Sequence, residues 1–219
     1  MKLIFSFLII IFFSTSILSG ELKVNYLIKT KGINIGSVSW DLNISEKKYK
    51  TILTLKSNNF ISNLYKFRGG YETSGIVVNG FLEPEQYIQS WVTKKKHRDV
   101  KINFKNNKVK TIEQDPFERE FPRFNFKELY GYVDPLSSFM NILLGKKESK
   151  TMDGRRAYIL IIDKKNTHKK IIVEEYINLW TDHKKRDLDY LEFYKEKKEF
   201  FPKKINIKFK GSFFSLVRN

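Results

Sequence analysis

Residues 132–145 read YVDPLSSFMNILLG. Asp134 is a good N-cap, Pro135 occupies the first helical position, where its missing N–H costs nothing, and Gly145 stands where a C-terminal cap belongs. Leu136, Phe139, Met140, Leu143 and Leu144 fall at i, i+3, i+4, i+7 and i+8, giving one apolar face. The spacing predicts a helix over about 135–144. A helix of about ten residues is marginal alone, so its face must be buried against something.

What surrounds it has a different period. Val24, Tyr26 and Ile28 alternate with polar neighbours, as do Val38, Trp40, Leu42 and Ile44, and then Tyr49, Thr51, Leu53 and Leu55. Three such runs joined by short loops predict an antiparallel meander. Phe60, Ile61, Leu64 and Phe67 break the alternation and suggest one or two helical turns. Strand patterning resumes in GGYETSGIVVNG, EQYIQSWVTKK, RDVKINFKNN and KVKTIEQ, with KNNK as a hairpin turn. From Asp115 to Lys127 the chain is irregular and reads as a loop crossing between two halves of the fold. After the helix come RRAYILIID, KKIIVEEYINLW, DYLEFYKEK, KKINIKF and SFFSLVRN, with turns at Asp153-Gly154 and FKGS. One helix among so many strands has an obvious place, on the concave face of a strongly curved antiparallel sheet.

The N-terminus carries Lys2, the run LIFSFLIIIFF and then STSILSG. Residues 1–20 read as a secretory signal peptide, because Leu3–Phe13 is shorter than the roughly 20 apolar residues a spanning helix needs. An uncleaved inner-membrane anchor is the alternative. Residues 21–219 then form a single β-rich domain, expected in the periplasm. With no cysteine anywhere, that domain holds together by burial alone. The 219 residues carry a formal charge of +17, and 33 of the 41 basic residues are Lys. Scattered Lys serves a solvated surface better than two-pronged phosphate recognition. No nucleic-acid partner is expected of an exported chain, while an anionic membrane surface is a candidate partner.

Catalytic chemistry is sparse. His97, His168 and His183 sit in Lys-rich surroundings without a second ligand at metal-like spacing. G-x-S-x-G does not occur, and the one S-x-x-K, Ser45 to Lys48, is the polar SEKK turn between two strand runs. Asp134 and Asp153 are a helix cap and a turn residue first. No enzyme activity, cofactor or metal is expected. In DGRRAY, consecutive strand residues face opposite sides, so Arg155 or Arg156 must point inward; Glu174 or Glu175 is the candidate carboxylate partner. Arg68 in FRGGY raises the same question. Trp40, Trp91 and Trp180 are either core or the lining of a cleft.

The order of GINIGSVSW, LYKFRGGYETSGIVVNGFLEPEQY, KKHRDVKINF, YVDPLSSFMNILL, DGRRAYILII and FPKKINIKFKGSFFSLVRN resembles the exported bacterial family known as Domain of Unknown Function 3108. The likeness spans nearly the whole chain after the leader. It implies a periplasmic β protein of unassigned activity, with a half-open β-barrel like that of outer-membrane lipoprotein carriers. Two functions of different class follow. In one, a non-catalytic carrier holds a lipid, acyl chain or other hydrophobic ligand, with Arg68, Trp91, Phe139, Met140, Leu143 and Arg155 as candidate ligand-binding residues and the helix as a gate. In the other, a structural envelope-integrity factor binds a protein or cell-wall partner without a ligand pocket. A continuous apolar cavity under residues 136–144 would favour the carrier.

Overall fold

Period-two patterning yields thirteen strands in a single antiparallel sheet, seen in a computed structural model that describes residues 20–58, 66–123, 125–163, 169–180, 187–196 and 198–219. The expected leader, apart from Gly20, the helical turns expected near Phe60, and His168 and His183 lie outside the described residues. Phe67, the last residue of that expected helix, already opens a strand.

β1 (Gly20–Thr30) to β7 (Lys108–Asp115) form a continuous meander through β2 (Ile33–Ile44), β3 (Lys48–Ser57), β4 (Phe67–Val78), β5 (Phe81–Thr93) and β6 (His97–Lys105). The chain then crosses over, forms α1 (Pro135–Leu143), and starts again at the other edge of the sheet. That second meander is β8 (Glu148–Met152), β9 (Arg156–Asp163), β10 (Lys169–Asn178), β11 (Leu188–Tyr194), β12 (Lys204–Phe209) and β13 (Ser212–Arg218). It ends with β13 paired to β1, Tyr26 opposite Arg218 and Ile28 opposite Leu216. The first and last strands therefore meet at the centre, and β7 and β8 are the free edges.

Four turns, at Lys31-Gly32, Asn79-Gly80, Asn106-Asn107 and Lys210-Gly211, have positive φ at both central residues. That is the backbone whose twist matches two-residue hairpins, and the KNNK and FKGS turns are as expected. Because every strand is antiparallel to its neighbours, all turns fall at two ends of the sheet. The end bearing Asn79-Gly80 and Asn106-Asn107 is called the helix end, and that bearing Lys31-Gly32, Lys94–Lys96 and Lys210-Gly211 the cleft end.

α1 forms where its caps predict. Asp134 Oδ1 accepts from Leu136 N at 2.9 Å and Ser137 N at 3.1 Å, and Gly145 follows with φ 115°. Leu136 to Leu143 are all buried, so the polar face is enclosed as well as the apolar one. On the apolar side Phe139 lies 5.7 Å from both the Trp40 and Phe193 rings, and Met140 is fully buried. On the polar side Ser137 is 2.6 Å from the Tyr49 hydroxyl, and Ser138 is 2.6 Å from Thr151 Oγ1. Asn141 accepts from Leu82 N at 2.7 Å and donates to Leu82 O at 2.9 Å. The β5–β6 pairing ends at Gln86–Asn103, so the Asn141 amide stands in for the strand that no longer reaches Leu82. With partners on β2, β3, β5, β8 and β11, α1 is wrapped by both wings of the sheet.

The open seam between β7 and β8 is covered by the crossover, which keeps both edges from offering a template for strand addition. Gly131 N donates to Asn107 O at 2.9 Å, Val133 N to Lys150 O at 2.9 Å, and Met152 N back to Val133 O at 2.8 Å. At the cleft end Gly154 lies so close to β6 that an added Cβ would meet Val100 Cγ1 at 2.5 Å.

Candidate binding cleft at the open end of the barrel

Strand alternation sets an inward row, Leu55–Gly69–Trp91–Arg98, across β3 to β6. Gly69 leaves room for the indole: a Cβ there would sit 2.9 Å from Trp91 Cε3. Phe67 stacks on the same ring at 6.0 Å, with the planes 9° apart. The next inward row brings Tyr71 and Gln89 together. Tyr71, Gln89, Trp91 and Thr93 form one wall of a cleft of about 980 Å³, with Phe209 and Lys210 opposite and Lys94–Lys96, His97, Arg98 and Pro116 around them. Its size is that of a small-molecule site. The cleft lies on β5 nine residues from Leu82, roughly 30 Å from the helix end.

Its electrostatics are one-sided. No carboxylate is among its described lining residues, whereas Lys94, Lys95, Lys96, Arg98 and Lys210 all are. His97 is exposed and is offset by Asp99 at 3.1 Å. Burial pushes the Tyr71 hydroxyl up to about 12, so it remains a neutral hydrogen-bonding group at neutral pH. Arg98 is half-buried, and its side chain makes no ion pair or hydrogen bond among the described residues. The positive charge of Arg98 reaches as far as Arg155, whose pKa is lowered by burial first and by Arg98 next, against the pull of Glu118.

Of the six residues singled out from the sequence, only Trp91 lines this cleft. Arg68 is exposed on the outer face, because its neighbours Phe67 and Gly69 take the inward positions. Phe139, Met140 and Leu143 are packed in the core around α1, and none of them lines the cleft. Arg155 precedes β9 and sits in the Asp153–Arg155 turn, so strand alternation does not govern it. It reaches across the seam to Glu118 at 2.8 Å and to Gln114 at 3.3 Å. Arg156 is the inward member of the pair, bonded to Asp187 and, at 3.5 Å, to Asp153. Burial opposes its charge, but Asp153, Tyr176 and Asp187 more than offset that and hold its pKa above the ordinary value. The partners are thus Glu118, Asp153 and Asp187, and not the expected Glu174 or Glu175. Both arginines brace the fold. Arg156 also borders a smaller cleft of about 130 Å³, which shares Phe209 with the larger one.

Trp40 and Trp180 are core residues, the latter donating from Nε1 to Gly154 O at 3.2 Å. Sequence reasoning missed Arg98, Tyr71, Gln89 and Phe209. A usable signal was present in WVTKKKHR: two strand residues of one face, Trp91 and Arg98, flank a turn of three lysines. Among the described residues no group of three His, Asp or Glu side chains could hold a metal ion, and no helix is long and apolar enough to cross a membrane.

The fold is similar to that of a solved protein from Brucella abortus, described as a beta-barrel-like protein of domain of unknown function DUF1849. The match has a TM-score of 0.53 at 10% identity and covers 92% of this chain and 96% of that one. At that identity the likeness concerns architecture alone. No curated protein matches the sequence. A family model does match, over residues 25–209, which takes in most of β1 and runs to the end of β12. The chain therefore belongs to the family described as "Protein of unknown function (DUF3108)".

Proposed function

We propose that the protein is a non-catalytic, exported binding or carrier protein that holds a lipid or other acyl-chain ligand with an anionic head in the cleft-end cavity. The observation that carries this reading is a half-enclosed cleft in which Tyr71, Trp91 and Phe209 supply apolar surface beside five cations and no described carboxylate. An apolar tail fits the rings, and a phosphate or carboxylate head would give half-buried Arg98 the partner it lacks. The leader-like residues 1–20 support export to the periplasm. The packing around α1 supports a static plug in place of a gate, which moves the ligand site from the helix to the cleft.

The test is native mass spectrometry of protein purified from a bacterial periplasm, followed by extraction of whatever is bound. A reproducible acyl species supports the carrier. A clean apo mass with no binding to lysophosphatidylglycerol or fatty acid overturns it in favour of a structural envelope factor. Arg98→Gln should weaken binding of lysophosphatidylglycerol roughly tenfold or more, because a charge-assisted hydrogen bond contributes about 1.5–3 kcal/mol. Binding of a neutral detergent should change far less.

A further inference from the structure

We propose that the cleft end of the barrel is a docking surface for an anionic lipid bilayer. The observation is the crossover loop next to the cleft. Phe117 and Phe121 are 81% and 91% exposed, more than any other large apolar residue described. Between and beside them, Glu118 and Glu120 are turned inward, Glu118 onto Arg155 at 2.8 Å, while Arg119 and Arg123 are exposed. The usual order, apolar in and charged out, is reversed for the acids and the aromatics. The outward set is therefore Phe117, Arg119, Phe121 and Arg123, alternating rings and guanidinium groups.

This loop is held from both sides. Glu118 is fixed by Arg155, and Arg123 N donates to Leu179 O at 2.7 Å. The loop opens at Pro116, which lines the cleft. The antiparallel order of the strands puts the β1–β2, β5–β6 and β12–β13 turns at the same end, with Lys31, Lys94, Lys95, Lys96 and Lys210 and no acid, while Asp153 of the β8–β9 turn there is paired with Arg156 at 3.5 Å. Exposed rings at headgroup depth with cations around them are what an anionic membrane surface selects. Docking there would bring the cleft mouth to the bilayer. The inference takes its purpose from the carrier reading, but its test is separate.

The experiment is co-sedimentation of the full protein with vesicles of phosphatidylcholine alone or with added phosphatidylglycerol, at low and high salt. The expected result is binding to the phosphatidylglycerol vesicles only, weakened by salt. The double variant F117A/F121A should bind at least roughly tenfold more weakly, from the loss of two inserted rings. Arg119→Gln should cost about fivefold, the share of one surface cation. Tyr130→Ala, which trims an exposed ring near the helix end, should change nothing. Failure of the wild type to bind, equal binding to both vesicles, or wild-type binding by F117A/F121A overturns the proposal. Native mass spectrometry of F117A/F121A separates the two readings: cargo retained with docking lost supports docking, and no cargo in either protein with docking intact removes only the carrier.

Discussion

Asn141→Leu tests whether the helix is locked in place by its polar face. Leucine matches asparagine in its number of heavy side-chain atoms and its branching at Cγ and favours the helix, so the change removes the two bonds to Leu82, and its extra bulk in a buried site can only deepen the loss. Leu82 is fully buried, and its N–H and C=O face a region that β6 does not reach. Each buried backbone group left without a partner costs about 1–3 kcal/mol, so the pair should cost about 3 kcal/mol. With a urea m-value of about 2–3 kcal/mol/M for a chain of this size, the midpoint should fall by roughly 1 M at unchanged slope. Urea titration followed by far-UV circular dichroism measures this. A fall of less than about 0.3 M would refute the reasoning, since Leu82 would then have found water or another partner.

Two further outcomes follow from the same packing. Phe139→Ala should destabilise by about 3–5 kcal/mol, because the ring fills space between Trp40 and Phe193, and ligand binding by the folded fraction should be unchanged. Chemical denaturation and lipid binding on one preparation check both halves, and lost binding at full stability would restore the gate. Asp134→Asn addresses pH. Asp134 is fully buried with Oδ2 unpartnered, and burial raises its pKa against the pull of its hydrogen bonds, Thr73 Oγ1 among the donors at 2.8 Å. The folded state therefore binds this proton more tightly than the unfolded chain. Its contribution to stability is complete below the unfolded carboxylate pKa and is lost as pH rises through the folded one. Over that window the wild type should lose midpoint relative to Asp134→Asn, and parallel curves for the two proteins would show that Asp134 keeps an ordinary pKa.

The helix was legible because its signals are local: Asp134, Pro135 and Gly145 act within a few residues of the backbone they cap. The hairpins were legible for the same reason. The sequence did not reveal that Ser137, Ser138 and Asn141 would be enclosed, because an amphipathic pattern shows which face is polar and not whether a second wall of the sheet covers it. Pairing of β1 with β13 joins residues nearly the whole chain apart, and no local pattern encodes it. The site was misplaced for a related reason. A greasy helix drew attention to its own surroundings, whereas the cleft draws Trp91 and Arg98 from one wing and Phe209 from the other. Lys94–Lys96 read as a solvated run, which each residue is singly; only the register shows that they ring an opening. In DPFEREFPRF the alternation was present but lay in a loop with two prolines, where period two carries no strand meaning.

The central joint between β1 and β13 also sets an order of events. Each wing is a series of neighbouring hairpins that can zip from local contacts, but the two wings become one sheet only when the last strand is available. A chain made or exported from its N-terminus would thus present β1 as an unsatisfied edge until Ser212–Arg218 arrives, and this long-range step should be slow relative to hairpin formation. Loss of those few terminal residues would therefore leave two half-sheets, each with a free edge open to another molecule, and not a slightly smaller barrel.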